Sequence, residues 1–202
     1  MDKPAPADHP IHELIRRRWS PRAFADRPVA PELLRSLFEA ARWAASSYNE
    51  QPWRYIVAPR EDQQTYGKLL DCLVPGNQRW ARHAPVLALS VARLRFTHND
   101  RPNRHAWHDV GAASALLALE ATARGLAIHQ MAGFEAERAR QAFGIPQEFD
   151  PVAAIALGYP GDPQALPEDL RERELAPRQR RPLAETVFGG RWGEPLALLH
   201  LD

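Results

Sequence analysis

The chain has 202 residues, with 26 Lys and Arg against 25 Asp and Glu. Hydrophobic residues make up 45% and charged residues 25%, a composition that supports a packed core and excludes wholesale disorder. The one cysteine, Cys72, excludes a disulfide framework and any cysteine-paired zinc or iron–sulfur site, and the net charge of +1 provides no global basic field to attract nucleic acid.

A chain of this length can bury a core without a staple, and residues 1–202 read as a single domain with a loose tail over 1–10 and a C-terminal arm over 164–202. The tail has neither a basic start nor an apolar stretch, so it is not read as a signal peptide. Ile11, Leu14, Ile15 and Arg18 share a helical face, and this short helix ends where Pro21 forbids another turn. Pro31 suits the first turn of the next helix. There Leu33, Leu34, Leu37, Phe38, Ala41 and Ala45 keep helical spacing as far as Ser46-Ser47. Residues 53–58 form a strand candidate and 62–73 a helix, followed by a Pro75-Gly76-Asn77 turn. The continuous apolar run over 85–92 is the pattern of a strand buried on both faces.

Residues 95–105 are polar and aperiodic, and read as a long exposed loop. Its Arg95, Arg101 and Arg104 either meet an anionic substrate there or are solvated. Residues 109–124 are apolar almost all round, as in a core or interface helix, and Gly125 ends them. Glu120 and Arg124 argue against a membrane span. A strand over 127–131, a helix over 135–143 closed by Gly144-Ile145-Pro146, and a strand over 152–157 follow. Beyond Asp162 the chain is rich in proline and charge, which suits an extended arm. Trp192 and the Leu196-Ala197-Leu198-Leu199 run would let that arm pack against something. The order of elements predicts an α+β domain. With no address written on the chain, a cytoplasmic protein with no membrane partner is the expectation.

Four clusters hold groups suited to chemistry. In Arg16-Arg17-Arg18-Trp19-Ser20-Pro21-Arg22, guanidinium forks and a hydroxyl gather where a helix gives way to a turn, as a phosphate dianion requires. Ser46-Ser47-Tyr48-Asn49-Glu50-Gln51 alternates donors and acceptors, which can read the polar edge of a flat heterocycle. Met131-Ala132-Gly133-Phe134 lets backbone approach a ligand closely. Arg178-Gln179-Arg180-Arg181 lies late in the arm. Each taken alone also reads as ordinary surface or turn chemistry. His105 and His108-Asp109 are too few for a metal site. Cys72 shares an apolar face with Leu69, Leu70 and Leu73 and is read as core.

Taken in order, these clusters resemble the FMN-dependent nitroreductase family over nearly the whole chain. Arg18-Trp19-Ser20-Pro21-Arg22-Ala23-Phe24 matches its opening motif. Ala45-Ser46-Ser47-Tyr48-Asn49-Glu50-Gln51-Pro52-Trp53 matches its second, with Ala45 where proline is usual. Asn77 to Trp80 with Ala84-Pro85, Gly133-Phe134, Gly144-Ile145-Pro146, Gly158-Tyr159-Pro160 and Arg178-Gln179-Arg180 follow in family order.

The resemblance implies a nitroreductase-like sandwich, a mostly antiparallel sheet flanked by helices, in a homodimer whose C-terminal arm wraps the partner subunit. It implies that Arg18, Ser20, Arg22, Arg178 and Arg180 hold the FMN phosphate and nearby ribityl oxygens, with Trp19 in contact. Ser46, Ser47 and Asn49 would reach the flavin of the other subunit, Asn77 would bond the flavin edge, and the backbone at Ala132 and Gly133 would face N5. The implied activity is ping-pong transfer of hydride from NAD(P)H through FMN to a small electron-poor acceptor: a nitroaromatic, a quinone, or an activated alkene or aldehyde. The cofactor carries the chemistry and no catalytic side chain is expected. The alternatives are a flavin protein of this fold without NAD(P)H turnover, and a non-enzymatic module whose arginines bind an acidic partner.

Overall fold

The computed structural model describes residues 2–197. Strands β1 (Trp53–Pro59), β2 (Val86–Arg93), β3 (Ala127–Met131) and β4 (Phe149–Gly158) form one antiparallel sheet in the order β1-β2-β4-β3. The helices are α1 (Glu13–Arg17), α2 (Pro31–Arg42), α3 (Gln63–Asp71), α4 (Pro75–Ala81), α5 (Ala106–Ala123), α6 (Ala136–Phe143) and α7 (Glu168–Leu175). Among the described residues no helix is long and apolar enough to cross a membrane.

The apolar run of β2 is explained by helices on both sides of the sheet. Val86, Ala88 and Ala92, with Ile155 and Leu157 of β4, join Leu37 of α2 and Val110, Ala113 and Leu117 of α5 in one cluster. The alternate residues Leu87, Leu89 and Val91, with Ala154 and Ala156, join Leu69 of α3, Trp80 of α4, Ala139 of α6 and Leu170 of α7 in the other. Period-two geometry sends neighbours to opposite faces, so both sets of β2 must be apolar. The β2–β4 ladder shifts register between Ser90 and Val91. Ser90 faces Ala153 while Val91 faces Pro151, and the proline sits at this bulge because it cannot donate to a regular ladder.

Several elements differ from the sequence reading. Pro75-Gly76-Asn77 opens a helix instead of closing a turn. Pro75 has the φ of a first helical residue, and Trp80, 1% exposed, secures the helix by burial. The strand expected over 152–157 begins at Phe149, because the bulge at Pro151 lets pairing continue past the proline. Helix α5 starts three residues before Asp109. The 95–105 segment is a closed hairpin, with Asn103 N–H donating to Leu94 O (2.7 Å) and Phe96 N–H to Arg101 O (2.9 Å). Arg95 there is paired with Asp100 at 2.9 Å. The arm is not wholly extended either. It contains α7, whose Leu170 is buried in its own chain together with Leu166 just upstream. Of the Leu196–Leu199 run, Leu198 and Leu199 lie outside the described residues.

The segment after the first arginine cluster is sewn to the end of β4. Ala25 N–H donates to Tyr159 O and Gly161 N–H to Ala23 O, both at 2.9 Å. This approach requires glycine, since a Cβ on Gly161 would lie 2.5 Å from the Phe24 carbonyl carbon and 2.9 Å from Ala25 N. Gly161→Ala should therefore destabilise the fold by about 1–3 kcal/mol, the usual cost of overpacking against atoms that cannot yield. A lowered urea midpoint with an unchanged m-value is the expected result.

Candidate functional site

The arginine turn is built by α1, its C-terminal exit and the arm. Arg18 caps α1, and its N–H returns to Leu14 O. Pro21 is buried and Ser20 exposed, so the turn presents the hydroxyl outward. Glu174 of α7, 1% exposed, organises the next residues. Its carboxylate accepts from Arg22 N–H (2.9 and 3.0 Å) and Ala23 N–H (3.1 Å), with the Arg22 guanidinium 3.8 Å away. Lys3 donates to the Glu174 carbonyl and sits 5.1 Å from the Trp19 ring. Arg178 donates to the carbonyls of Lys3 (2.7 Å), Arg16 and Arg18 (both 3.0 Å), which commits three of its five N–H groups to holding the turn.

These elements enclose a cleft of about 300 Å³, lined by Arg18, Ser20, Arg22, Arg173, Arg178 and Arg180 among others. The structure thus brings together the first and last arginine clusters, about 160 residues apart in sequence. Among the described residues Arg18, Arg178 and Arg180 make no ion pair. Burial, then the charges of Arg178 and Arg180, hold the Arg18 guanidinium below its ordinary value. A cluster of mutually repelling, partly desolvated cations is stabilised by an anion.

Behind the turn lies His129 of β3, 2.9 Å through Nδ1 from the Pro21 carbonyl and with its ring 4.5 Å from that of Trp80. Burial pushes this imidazole down to about 4, against the Pro21 hydrogen bond and with help from Arg22. It is therefore a neutral donor that fixes the turn from below.

The serine loop sits elsewhere. Ser47–Asn49 form one turn of 3-10 helix, in which Tyr48 (φ 55°) and Asn49 (φ 54°) are left-handed, as is Gln51 (φ 51°). Ser46 Oγ accepts from Gln51 N–H at 3.0 Å, so this hydroxyl oxygen closes the loop. Ser47 N–H donates to Asp109 Oδ2 at 3.0 Å, and Asp109, in the first turn of α5, is 3% exposed. The side chains of Ser47 and Asn49 make no hydrogen bond among the described residues. Tyr48 is 83% exposed and lies 5.7 Å, ring to ring, from both Phe96 and His98 of the hairpin.

Asn77 and Gly133 meet directly. Gly133 O accepts from Val74 N–H (3.1 Å) and Asn77 Nδ2 (3.0 Å). A Cβ on Gly133 would fall 2.6 Å from Asn77 Nδ2 and 2.9 Å from Val74 Cγ2. The Gly133 N–H has no hydrogen-bond partner among the described residues, and Ala132 beside it is exposed.

One distance separates the candidates into two groups. Ser47 is held at Asp109 near the start of α5, whereas Arg17 and Trp19 lie beside Thr122 and Gly125 at its end. Thirteen residues of helix span about 20 Å. Within one chain the arginine cleft and the serine loop therefore stand at opposite ends of α5.

Sequence reasoning missed Glu174 and His129, took Glu50 only as part of the serine-loop motif, and weighed Asp109 only as a metal ligand. Glu174 was hidden in a charge run, and only its place on the inner side of α7 distinguishes it. Asp109 carried a signal, since a carboxylate opening an apolar helix needs a donor. His108, with Nδ1 3.1 Å from Asp109 Oδ1, is exposed. Among the described residues no three His, Cys, Asp or Glu side chains gather as a metal site would need. Cys72 is in the core, and burial pushes its thiol up.

Comparison with known proteins agrees with this architecture. A nitroreductase-family profile matches residues 15–81 and 72–159. A crystal structure described as an oxidoreductase containing FMN is 36% identical, with a TM-score of 0.88, and the alignment covers 93% of this chain and 96% of that one. A nitroreductase family protein of Clostridium difficile 630 superposes with a TM-score of 0.68 at 25% identity, covering 88% and 96%. An NADH dehydrogenase of Thermus thermophilus is 32% identical over 206 residues, covering 85% of this chain and 92% of its own. The chain belongs to the nitroreductase family.

Two stability predictions follow from the arginine turn. Glu174→Ala leaves two backbone amides without their acceptor and should cost on the order of 3 kcal/mol in chemical denaturation, with Glu174→Gln recovering part of it. His129 has an ordinary value of 6.5 when unfolded and about 4 when folded. Between these values the unfolded chain binds a proton that the folded one does not, so stability falls as pH drops from 6.5 to 4, by up to about 3 kcal/mol. His129→Gln should flatten denaturation midpoints across that window.

Proposed function

We propose that this protein is an FMN-dependent NAD(P)H oxidoreductase, a single nitroreductase-like domain that works as a homodimer. The observation that carries the reading is the arginine cleft, where unpaired forks converge from both ends of the chain around an outward serine. Arg18, Arg22 and Arg180 would take the phosphate with Ser20, Trp19 would flank it, and Arg178 would hold the turn in shape while offering its remaining donors. The glycine cradle also fits the group. Gly133 offers a free N–H beside exposed Ala132, at a position where a Cβ would strike Asn77.

Bound FMN would supply two-electron chemistry at N5, taking hydride from NAD(P)H and passing it to a small electron-poor acceptor in turn. The residues contribute binding, orientation and charge, and none is needed as acid or base. A donor N–H at Gly133 would favour a reduced, electron-rich ring edge. The flat acceptor and the nicotinamide would share one open face, which suits a nitroaromatic, a quinone, or an activated alkene or aldehyde.

The separation along α5 supports the dimer. Ser46, Ser47 and Asn49 stand at the other end of α5 from their own arginine cleft, with about 20 Å of helix between, so they would serve the flavin of the other subunit, with Ser46 shaping the loop and Ser47 and Asn49 in contact. Ile11, Ile15, Trp43, Tyr48 and Trp107 are exposed and would offer apolar surface to a twin. Leu166, Leu170 and Glu174 are buried in their own chain, and Arg178 is bonded to its own chain's Lys3, Arg16 and Arg18 carbonyls, so the part of the arm free to wrap a partner begins beyond Arg180.

The test is flavin binding. The purified protein should be yellow, hold one FMN per protomer in preference to riboflavin, and bleach with NADH or NADPH. Arg22→Ala and Arg180→Ala should each weaken FMN by about 1.5–3 kcal/mol, the scale of hydrogen bonds to charged groups, and leave riboflavin affinity unchanged in fluorescence titration. A colourless protein that takes up no FMN would sink the reading and leave the arginines to an acidic partner. A flavin that no nicotinamide bleaches would limit the role to flavin chemistry without NAD(P)H turnover.

A further inference from the structure

The serine loop is an unfavourable conformation that something must hold. Three of the four residues from Tyr48 to Gln51 are left-handed, and none is glycine. Side chains with a Cβ avoid that region, and such strain persists only where surrounding contacts over-determine it. The contacts here come from two buried carboxylates on opposite flanks. Asp109 Oδ2 accepts the Ser47 N–H from the first turn of α5. On the other flank the Glu50 carboxylate, 5% exposed, accepts from Thr97 N–H at 2.9 Å and from the Thr97 hydroxyl, with Arg93 3.8 Å away. Glu50 thereby docks the loop on the 94–103 hairpin, while Asp109 docks it on the core.

The result is selective. The backbone groups of the loop are spent within it: Asn49 N–H donates to Ser46 O (3.0 Å) and Glu50 N–H to Ser47 O (3.1 Å), while the Gln51 side-chain Nε2 donates to Asn49 O (3.1 Å). Among the described residues the Ser47 hydroxyl and the Asn49 carboxamide remain uncommitted. Neither carboxylate is among them, and a carboxylate paired to backbone amides inside the protein has no reason to face an electron-rich ring.

We infer that Asp109 and Glu50 are positioning residues, which preorganise the left-handed serine loop so that Ser47 and Asn49 present their donors and acceptors to a flavin that the two acids never touch. This rests on the proposed FMN site, and it adds a function for two acids that sequence reading had set aside or passed over. It also gives the hairpin a role as the loop's outer anchor.

The experiment is fluorescence titration of the full-length protein with FMN and with riboflavin, in parallel with hydrogen exchange at the Ser47 amide without flavin. Asp109→Ala should weaken both ligands by the same factor, about tenfold, because the loop does not read the phosphate. Ser47 exchange should quicken at the same time. Asp109→Asn keeps an acceptor oxygen and should stay within about threefold of wild type. In an Asn49→Ala background Asp109→Ala should add less than about twofold, since residues acting as one unit are non-additive. Glu50→Ala should show the same pattern in milder form, and decides the matter if Asp109→Ala fails to fold.

Wild-type affinity in both Ala variants, a loss confined to FMN, or a loss fully additive with Asn49→Ala would overturn the inference. If Asn49→Ala binds flavin as wild type does, the assignment of the loop to the flavin site fails, and the inference fails with it. A wild-type protein that binds neither flavin would overturn the proposed function itself.

Discussion

Helix α5 places Val110, Ala113, Leu117 and Ala121 in one cluster with Val86, Ala88, Ile155 and Leu157 of the sheet, and none of these side chains is more than 1% exposed. Removing a buried leucine such as Leu117 from such a cluster typically costs about 2–5 kcal/mol, so the position of this helix is not negotiable. Its two ends then fix everything that concerns the site. The first turn carries the carboxylate that holds the serine loop, and the last turn abuts the segment that carries the arginines. A rigid rod of buried small and branched side chains thus sets the distance between two groups of polar residues.

Both groups rest on the same physical device. A turn that presents polar atoms outward leaves at least one of its backbone amides without a partner inside the turn, and buried orphan amides are costly. Glu174 accepts two amides of the arginine turn, and Asp109 accepts one of the serine loop. Neither acid is an isolated buried charge, because each lies against backbone dipoles. Lys3 and Arg22 add compensation at Glu174. Neutral His129 and the tight Gly161–Phe24 approach complete the support of the arginine turn without adding net charge to a site already rich in cations.

The arginines themselves divide by geometry. Arg178 is largely spent on three carbonyls, Arg22 is shared with Glu174, and Arg18 and Arg180 have no acidic partner among the described residues. Forks that face one another across a cleft repel, and a bound anion would relieve that repulsion. The hairpin follows the opposite logic. Arg95 is neutralised by Asp100, and the segment folds back on itself before Glu50 ties it to the loop.

Periodicity and breakers by themselves determined most of the elements: the both-faces burial of β2, the apolar α5, and the glycine stops at Gly125 and Gly144, whose φ of 72° and 60° only glycine takes readily. Local chemistry also marked the arginine, serine and glycine clusters, because forks, hydroxyls and small residues are recognisable wherever they stand. Tertiary structure alone decided which of them meet. Pro75 could open a helix or close a turn, and the burial of Trp80 chose the helix. Glu174 reads as one charge among many in 164–181 until α7 turns it inward onto the Arg22 and Ala23 amides. That Arg18 and Arg180 share a cleft while Ser47 lies at the far end of α5 depends on chain segments more than a hundred residues apart. No local pattern encodes such a distance, because it is set by how the buried faces of the helices stack on the sheet.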